Sequence, residues 1–177
     1  KNWTLCPIGN YTSVRSLMVD ESTSRIYAGG SEEFGYYHND PDRGCFVYKS
    51  LMPTLPKRNH HFTEVWNIHK SGKYIWFQSD FNLLRFDGSK SISIPYKYKI
   101  TTSALIRGRL YIASKEGFFI RSQNFKVRFI FLCRHLTAGY YRSPEIIGII
   151  PDLWNINEGA FFRLCCLRFQ DSGKNHH

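Results

Sequence analysis

Acidic side chains are scarce in this chain of 177 residues, 14 against 24 Lys and Arg, and methionine is scarcer still, with two. No apolar run approaches the roughly 18–20 residues that a membrane-spanning helix needs. The longest, such as Ile146–Ile150, are strand-sized, so membrane insertion by this segment is not expected. The five cysteines, Cys6, Cys45, Cys133, Cys165 and Cys166, are an odd number with no CxxC and no His at zinc spacing. They encode neither a disulfide framework nor a structural metal site, and no cofactor is expected. Walker A, GxGxxG, GxSxG and HExxH patterns are also missing, which removes the common phosphate-cradling, hydrolase and metalloprotease signatures. There is no Met at position 1 and no charged-plus-apolar leader after Lys1; the expectation is a removed leader or an excerpt of a longer chain.

What is abundant is aromatic: 14 Phe, 11 Tyr and 4 Trp in a chain that is 42% hydrophobic and 21% charged. That balance excludes a disordered, collagenous or highly charged coiled-coil protein and requires a core. The net charge of +10 is uneven, since residues 1–88 carry 10 basic and 9 acidic side chains and residues 89–177 carry 14 and 5. The basic residues of the second half are dispersed singly (Lys97, Lys99, Arg107, Arg109, Lys115, Arg121). Direct nucleic-acid contact, which favours clustered Lys and Arg, is therefore not expected.

Short runs rich in Val, Ile, Tyr, Phe and Trp, bounded by Gly, Ser, Asn and Asp, recur from Val14 to Ile150, and no helical period is sustained. Three windows superpose without gaps: Arg25–Tyr37, Tyr74–Phe86 and Arg109–Arg121. In each, an aliphatic residue (Ile26, Ile75, Leu110) precedes an aromatic (Tyr27, Trp76, Tyr111). A second large apolar residue follows at Phe34, Leu83 and Phe118, and a small residue (Gly30, Ser79, Ser114) opens the turn. An apolar strand lies upstream of each window (Val14–Val19, Val65–His69, Thr102–Ile106). An edge-like strand lies downstream (Cys45–Ser50, Ser91–Pro95, Lys126–Phe131).

Four antiparallel strands per unit, repeating every few tens of residues, predict an all-β chain built of β-propeller blades. A lone four-stranded meander leaves two faces wet, whereas stacked blades cover one another. The Tyr27/Trp76/Tyr111 and Phe34/Leu83/Phe118 columns are therefore expected to fill the interfaces between blades as core. The expected division is the end of a preceding blade at 1–10, blades at 11–58 (with a long outer loop), 59–98 and 99–131, and a partial or divergent blade and tail at 132–177. Three blades and a fragment do not close a ring, which takes about 4–8.

Ser13–Asp20 followed by Arg25–Gly30, with Glu33–Tyr37, Glu64–Ile68, Ile75–Ser79 and Arg85–Gly88, resembles the two-component regulator propeller repeat. The resemblance is to the sensor region of bacterial proteins that also carry a triple-tyrosine domain and end in a helix-turn-helix regulator or a histidine kinase. It covers residues 3–121 well and degrades beyond Pro151. It implies a periplasmic, non-catalytic module that senses an oligosaccharide or another nutrient. Its partners would be the remaining blades and the triple-tyrosine domain of the full-length protein.

Sugar recognition needs an aromatic face for the ring and polar groups for its hydroxyls. Arg15, His61, Trp66 and Arg107, near the starts or ends of innermost strands, are the candidate ligand-binding residues; no catalytic or metal residue is assigned. The pair His60–His61 is read as strand, with the two rings on opposite faces, which disfavours a metal. Asp40-Pro41-Asp42 near His38 reads as a turn rather than a cation site. The connection Met52–Phe62 reads as a solvated loop, with a place on the channel rim as the alternative. Two other functions stay open: a propeller hydrolase or lyase, which would use a pair of rim carboxylates, and a scaffold with an exposed apolar patch. Blade faces left uncovered predict self-association.

Overall fold

The computed structural model describes residues 5–106 and 108–114 in full, and residues 117–121 and 127–131 as backbone. Among the described residues twelve strands form three four-stranded antiparallel sheets, each a simple meander. Sheet 1 contains β1 (Ser16–Asp20), β2 (Arg25–Gly30), β3 (Glu33–Asp40) and β4 (Cys45–Ser50). Sheet 2 contains β5 (Asn67–Ser71), β6 (Tyr74–Gln78), β7 (Asn82–Phe86) and β8 (Ser91–Pro95). Sheet 3 contains β9 (Ile100–Ile106), β10 (Arg109–Ser114), β11 (Gly117–Arg121) and β12 (Val127–Phe131). The first strands of successive sheets adjoin, β1 beside β5 and β5 beside β9, as the innermost strands of stacked propeller blades do.

Period-2 alternation explains the stacking. Tyr27 and Phe34 point from sheet 1 into sheet 2 and join Ile75, Phe77, Leu84 and Phe86 in one core cluster. Phe77 is fully buried and meets Phe34 edge-on at 4.9 Å between centroids and Tyr27 at 6.1 Å. Their neighbours in sequence on β6 and β7, Trp76 and Leu83, point the other way and join Ile100, Leu110 and Ile112 of sheet 3. The aromatic column thus faces the next sheet and the flanking aliphatics face the previous one. Fully burying a side chain of this size is worth about 1.5–3 kcal/mol, so the interfaces between sheets dominate the stability. Tyr111 is buried as well, while the side chain of Phe118 lies outside the described residues.

Backbone contacts set the spacing. Val65, in the segment that enters sheet 2, donates its N–H to the Gly30 carbonyl at 3.0 Å, and Glu64 bridges to Ser31. A Cβ on Gly29 would collide with the Val65 side chain, and one on Gly30 would lie 2.7 Å from Ile8 Cδ1 and from the Ser13 carbonyl. The glycine pair lets chain pack against both sides of β2. At the opposite end of the sheets the β1–β2 turn is tied to β5: the buried Asp20 carboxylate receives the Lys70 ammonium and the Ser22 and Thr23 hydroxyls.

Two expectations are corrected. His60 and His61 are not on a strand: His60 ends a 3₁₀ turn, Lys57–Asn59, where its Nε2 lies 2.8 Å from the Leu55 carbonyl, and His61 follows in the connection. Nor is Met52–Phe62 a solvated loop: Phe62 packs with Leu51 and Leu55 in the core between sheets 1 and 2, and its ring meets Phe34 edge-on at 5.8 Å. The apolar residues Leu55 and Phe62, standing among Pro, Lys, Arg and Asn, are what anchor it. By contrast, Asp40 makes the turn expected of it, accepting the backbone N–H groups of Asp42 and Arg43 at 3.0 and 3.3 Å.

Candidate functional site

Each innermost strand is entered from the same end of the stack, because each sheet is an even-numbered meander and the chain returns to that end before starting the next. The residues just before β1, β5 and β9 and the β2–β3 and β6–β7 turns therefore share one rim. Arg15 and Trp66 hold equivalent places on it. The Arg15 N–H bonds the Gly29 carbonyl and the Trp66 N–H bonds the Gln78 carbonyl, each at 2.8 Å, one step ahead of the first strand.

The side chains at these two places meet. Arg15 Cζ lies 6.0 Å from the centroid of the Trp66 ring, and Arg15 Nε donates to Glu64 Oε2 at 3.2 Å. Trp66 Nε1 donates to Asp80 Oδ1 at 3.0 Å, and Lys99 Nζ pairs with the same oxygen at 3.3 Å. Asp80 is itself fixed by backbone, its carbonyl accepting the Ile100 N–H at 2.6 Å. The result is a row running Arg15, Glu64, Trp66, Asp80, Lys99 across the starts of all three sheets. Trp66 stays 43% exposed even though its indole N–H is held. An exposed indole held by one edge is a flat apolar platform. Phe81 and Tyr98 are exposed on the same rim, where the Phe81 carbonyl accepts the Tyr96 N–H at 2.8 Å.

Burial orders the charges. The side chains of Arg15 and Lys99 are 46% and 59% exposed, whereas those of their partners Glu64 and Asp80 are 24% and 14% exposed. Pairs this exposed contribute only about 0–1 kcal/mol each to stability. Their effect is to orient the cations and the indole.

Of the four residues expected from sequence, the structure brings Arg15 and Trp66 together. His61 is exposed on the connection from β4, outside this row of contacts, and Arg107 lies outside the described residues. Glu64, Asp80 and Lys99 were not anticipated. A signal for Asp80 existed, since it follows Ser79, the small residue that opens the turn, and so belongs to the same rim as Trp66.

Beneath the rim, between sheets 2 and 3, runs a polar chain in which Gln78 and Ser103 are buried and Asn67 and His69 half-buried. His69 Nε2 lies 2.9 Å from Ser103 Oγ, which donates to Gln78 Oε1 at 3.1 Å, and Asn67 Nδ2 donates to the same oxygen at 2.7 Å. Burial pushes the His69 imidazole below its ordinary pKa, and the Ser103 bond only partly opposes this. Among the described residues no group of three or more His, Cys, Asp and Glu side chains could hold a metal ion, and no helix is long and apolar enough to cross a membrane.

No protein-family model matches the chain, and no curated protein matches it. Solved structures do. The extracellular domain of a protein from B. thetaiotaomicron, described as a hybrid two-component system, matches 67% of this chain at 15% identity and a TM-score of 0.51. A second structure of that protein's extracellular domain, described there as a one-component system, matches 70% at 16% identity and a TM-score of 0.51. The chain spans 16% and 17% of those two structures. At such identity the likeness is one of fold: stacked four-stranded antiparallel sheets.

Proposed function

We propose that this chain is part of a non-catalytic, ligand-sensing propeller of a bacterial signal-transduction receptor, and that the rim centred on Trp66 binds an oligosaccharide. The observation that carries this reading is the Trp66 platform, exposed yet edge-anchored by Asp80 and flanked by the oriented Arg15 and Lys99. Pyranose rings present an apolar face to such an indole and hydroxyls to the groups around it. The fold likeness to an extracellular domain of a two-component system supports the sensor setting. So does the resemblance of Ser13–Gly30 to the two-component regulator propeller repeat, with a periplasmic site, further blades and a triple-tyrosine domain as its surroundings.

A hydrolase or lyase would need rim carboxylates free to act on substrate. Among the described residues Glu64 and Asp80 each hold a cation, and Asp80 also holds the indole, which leaves Glu32 of the β2–β3 turn as a lone exposed rim carboxylate and not a pair; this favours binding over turnover. A scaffold reading has its own support. Leu17 and Val19 of β1 and Phe46 of β4 are 62%, 66% and 45% exposed on one face of sheet 1, the counterpart of faces that are covered in sheets 2 and 3, and self-association through it is the expectation. The test is intrinsic fluorescence titration of the chain with oligosaccharides of several backbone types, with the recovered sugar checked for new reducing ends. Saturable quenching that Trp66→Ala abolishes, with the sugar intact, supports the reading. Cleaved sugar would replace it with the enzyme.

A further inference from the structure

The charges around Trp66 are layered, and the layering points to a ligand of one sign. The carboxylates sit low, Asp80 at 14% and Glu64 at 24% exposure, and the cations stand above them, Arg15 at 46% and Lys99 at 59%. Lys97 adds a third exposed cation, its Nζ 5.3 Å from the centroid of the exposed Tyr98 ring. Among the described residues one exposed carboxylate, Glu32 in the β2–β3 turn, shares the rim. A ligand approaching the indole therefore meets ammonium and guanidinium groups before it meets carboxylates.

The Arg15 geometry sharpens this. A guanidinium has five N–H donors in a planar fork. Glu64 takes Nε, at 3.2 Å, which orients the plane and leaves the terminal fork, the end that grips a carboxylate with two parallel hydrogen bonds. A neutral sugar has no group matching that fork. A ring stacked on Trp66 and bearing a carboxylate does, and Lys99, held by the same Asp80 oxygen that anchors the indole, can take a second acidic unit of the same chain. The aromatic–cation pairing recurs at the next strand entrance as Tyr98 with Lys97, so the platform suits a run of units rather than a single sugar.

On the reading that the rim binds an oligosaccharide, we infer that the ligand is acidic, a uronate-bearing oligosaccharide whose carboxylates lie on Arg15 and Lys99 while one ring stacks on Trp66. The probes are oligogalacturonate, the same oligomer after reduction of its carboxyl groups, and a panel of neutral oligosaccharides. Each is titrated calorimetrically into the full chain at low and at physiological salt, with duplex DNA as a polyanion that lacks a stacking sugar face.

The inference expects oligogalacturonate to bind, its reduced form to bind at least about tenfold more weakly, and added salt to weaken the acidic ligand alone, since charges this exposed are screened. Arg15→Gln and Lys99→Gln, both at exposed positions, should each cut oligogalacturonate affinity several-fold while changing the melting temperature little. Equal affinity for the acidic and reduced oligomers, or binding of neutral oligosaccharides only, overturns the acidic ligand and leaves the carbohydrate site standing. DNA binding as tightly as oligogalacturonate, with Trp66→Ala indifferent to both, overturns the acidic ligand and the carbohydrate site together.

Discussion

Replacing Asp20 with Asn tests the tie between the first two sheets. The Asp20 carboxylate is 4% exposed and receives the Lys70 ammonium from β5 together with the hydroxyls of Ser22 and Thr23. Burial by itself would raise its pKa. The hydrogen bonds from Lys70, Ser22 and Thr23 and the Lys70 charge outweigh burial and hold it at about 2, against an ordinary 3.8. A lowered folded-state pKa means that the unfolded chain takes up the proton first as the pH falls. The stabilisation is thus complete above about pH 5, is lost progressively as the pH falls from 3.8 through 2, and is gone only near about pH 1. One pKa unit is about 1.4 kcal/mol. Discounting for the one-third exposure of Lys70, the carboxylate contributes about 1–2 kcal/mol. Urea denaturation of wild type and Asp20→Asn at pH 7, 5, 3.5 and 2.5 isolates this group from other acids. The difference should hold steady from pH 7 to 5 and shrink to roughly a third of its full size by pH 2.5. A difference that persists undiminished at pH 2.5, or that is absent at pH 7, would refute the role given to the carboxylate.

Gly29→Ala places a methyl group against Val65 and should destabilise the chain by about 1–3 kcal/mol through overpacking; the shift of the urea midpoint measures it, and Val65→Ala should rescue part of the loss. His69, neutral between sheets 2 and 3 with its pKa pushed down by burial, disfavours protonation in the folded state. Stability should therefore fall as the pH drops through about 6.5, and His69→Gln should flatten that part of the profile; an NMR titration placing the His69 pKa above 6.5 would contradict the burial argument.

The sheets were legible in the sequence where burial on alternate positions is strict. The fourth strands Cys45–Ser50 and Ser91–Pro95 have the observed limits, because a turn or a proline closes each. The limits of the first strands differ from the pattern: Val14 and Val65 precede β1 and β5 while β9 begins before Thr102, at Ile100, and Val65 is apolar because it packs between sheets rather than because it belongs to the ladder. The Met52–Phe62 connection misled because its charged and proline residues conceal two buried anchors, Leu55 and Phe62. At the rim, Arg15 and Trp66 were visible as polar and aromatic residues beside innermost strands, and the structure shows that their places are equivalent. Their partners were not, since the Asp80–Lys99 pair joins a turn of one sheet to the entrance of the next, a relation fixed by how sheets stack and not by spacing along one strand.

Binding of an oligosaccharide at the rim around Trp66, without turnover, is read out by a thermal-shift screen of the chain and its Trp66→Ala variant against a panel of acidic and neutral oligosaccharides. A ligand at 100 times its Kd adds about 2.7 kcal/mol to folded-state stability. A raised melting temperature is expected for one glycan class, lost in Trp66→Ala, with the glycan recovered intact. A panel that shifts neither protein, or shifts both alike, would contradict that binding.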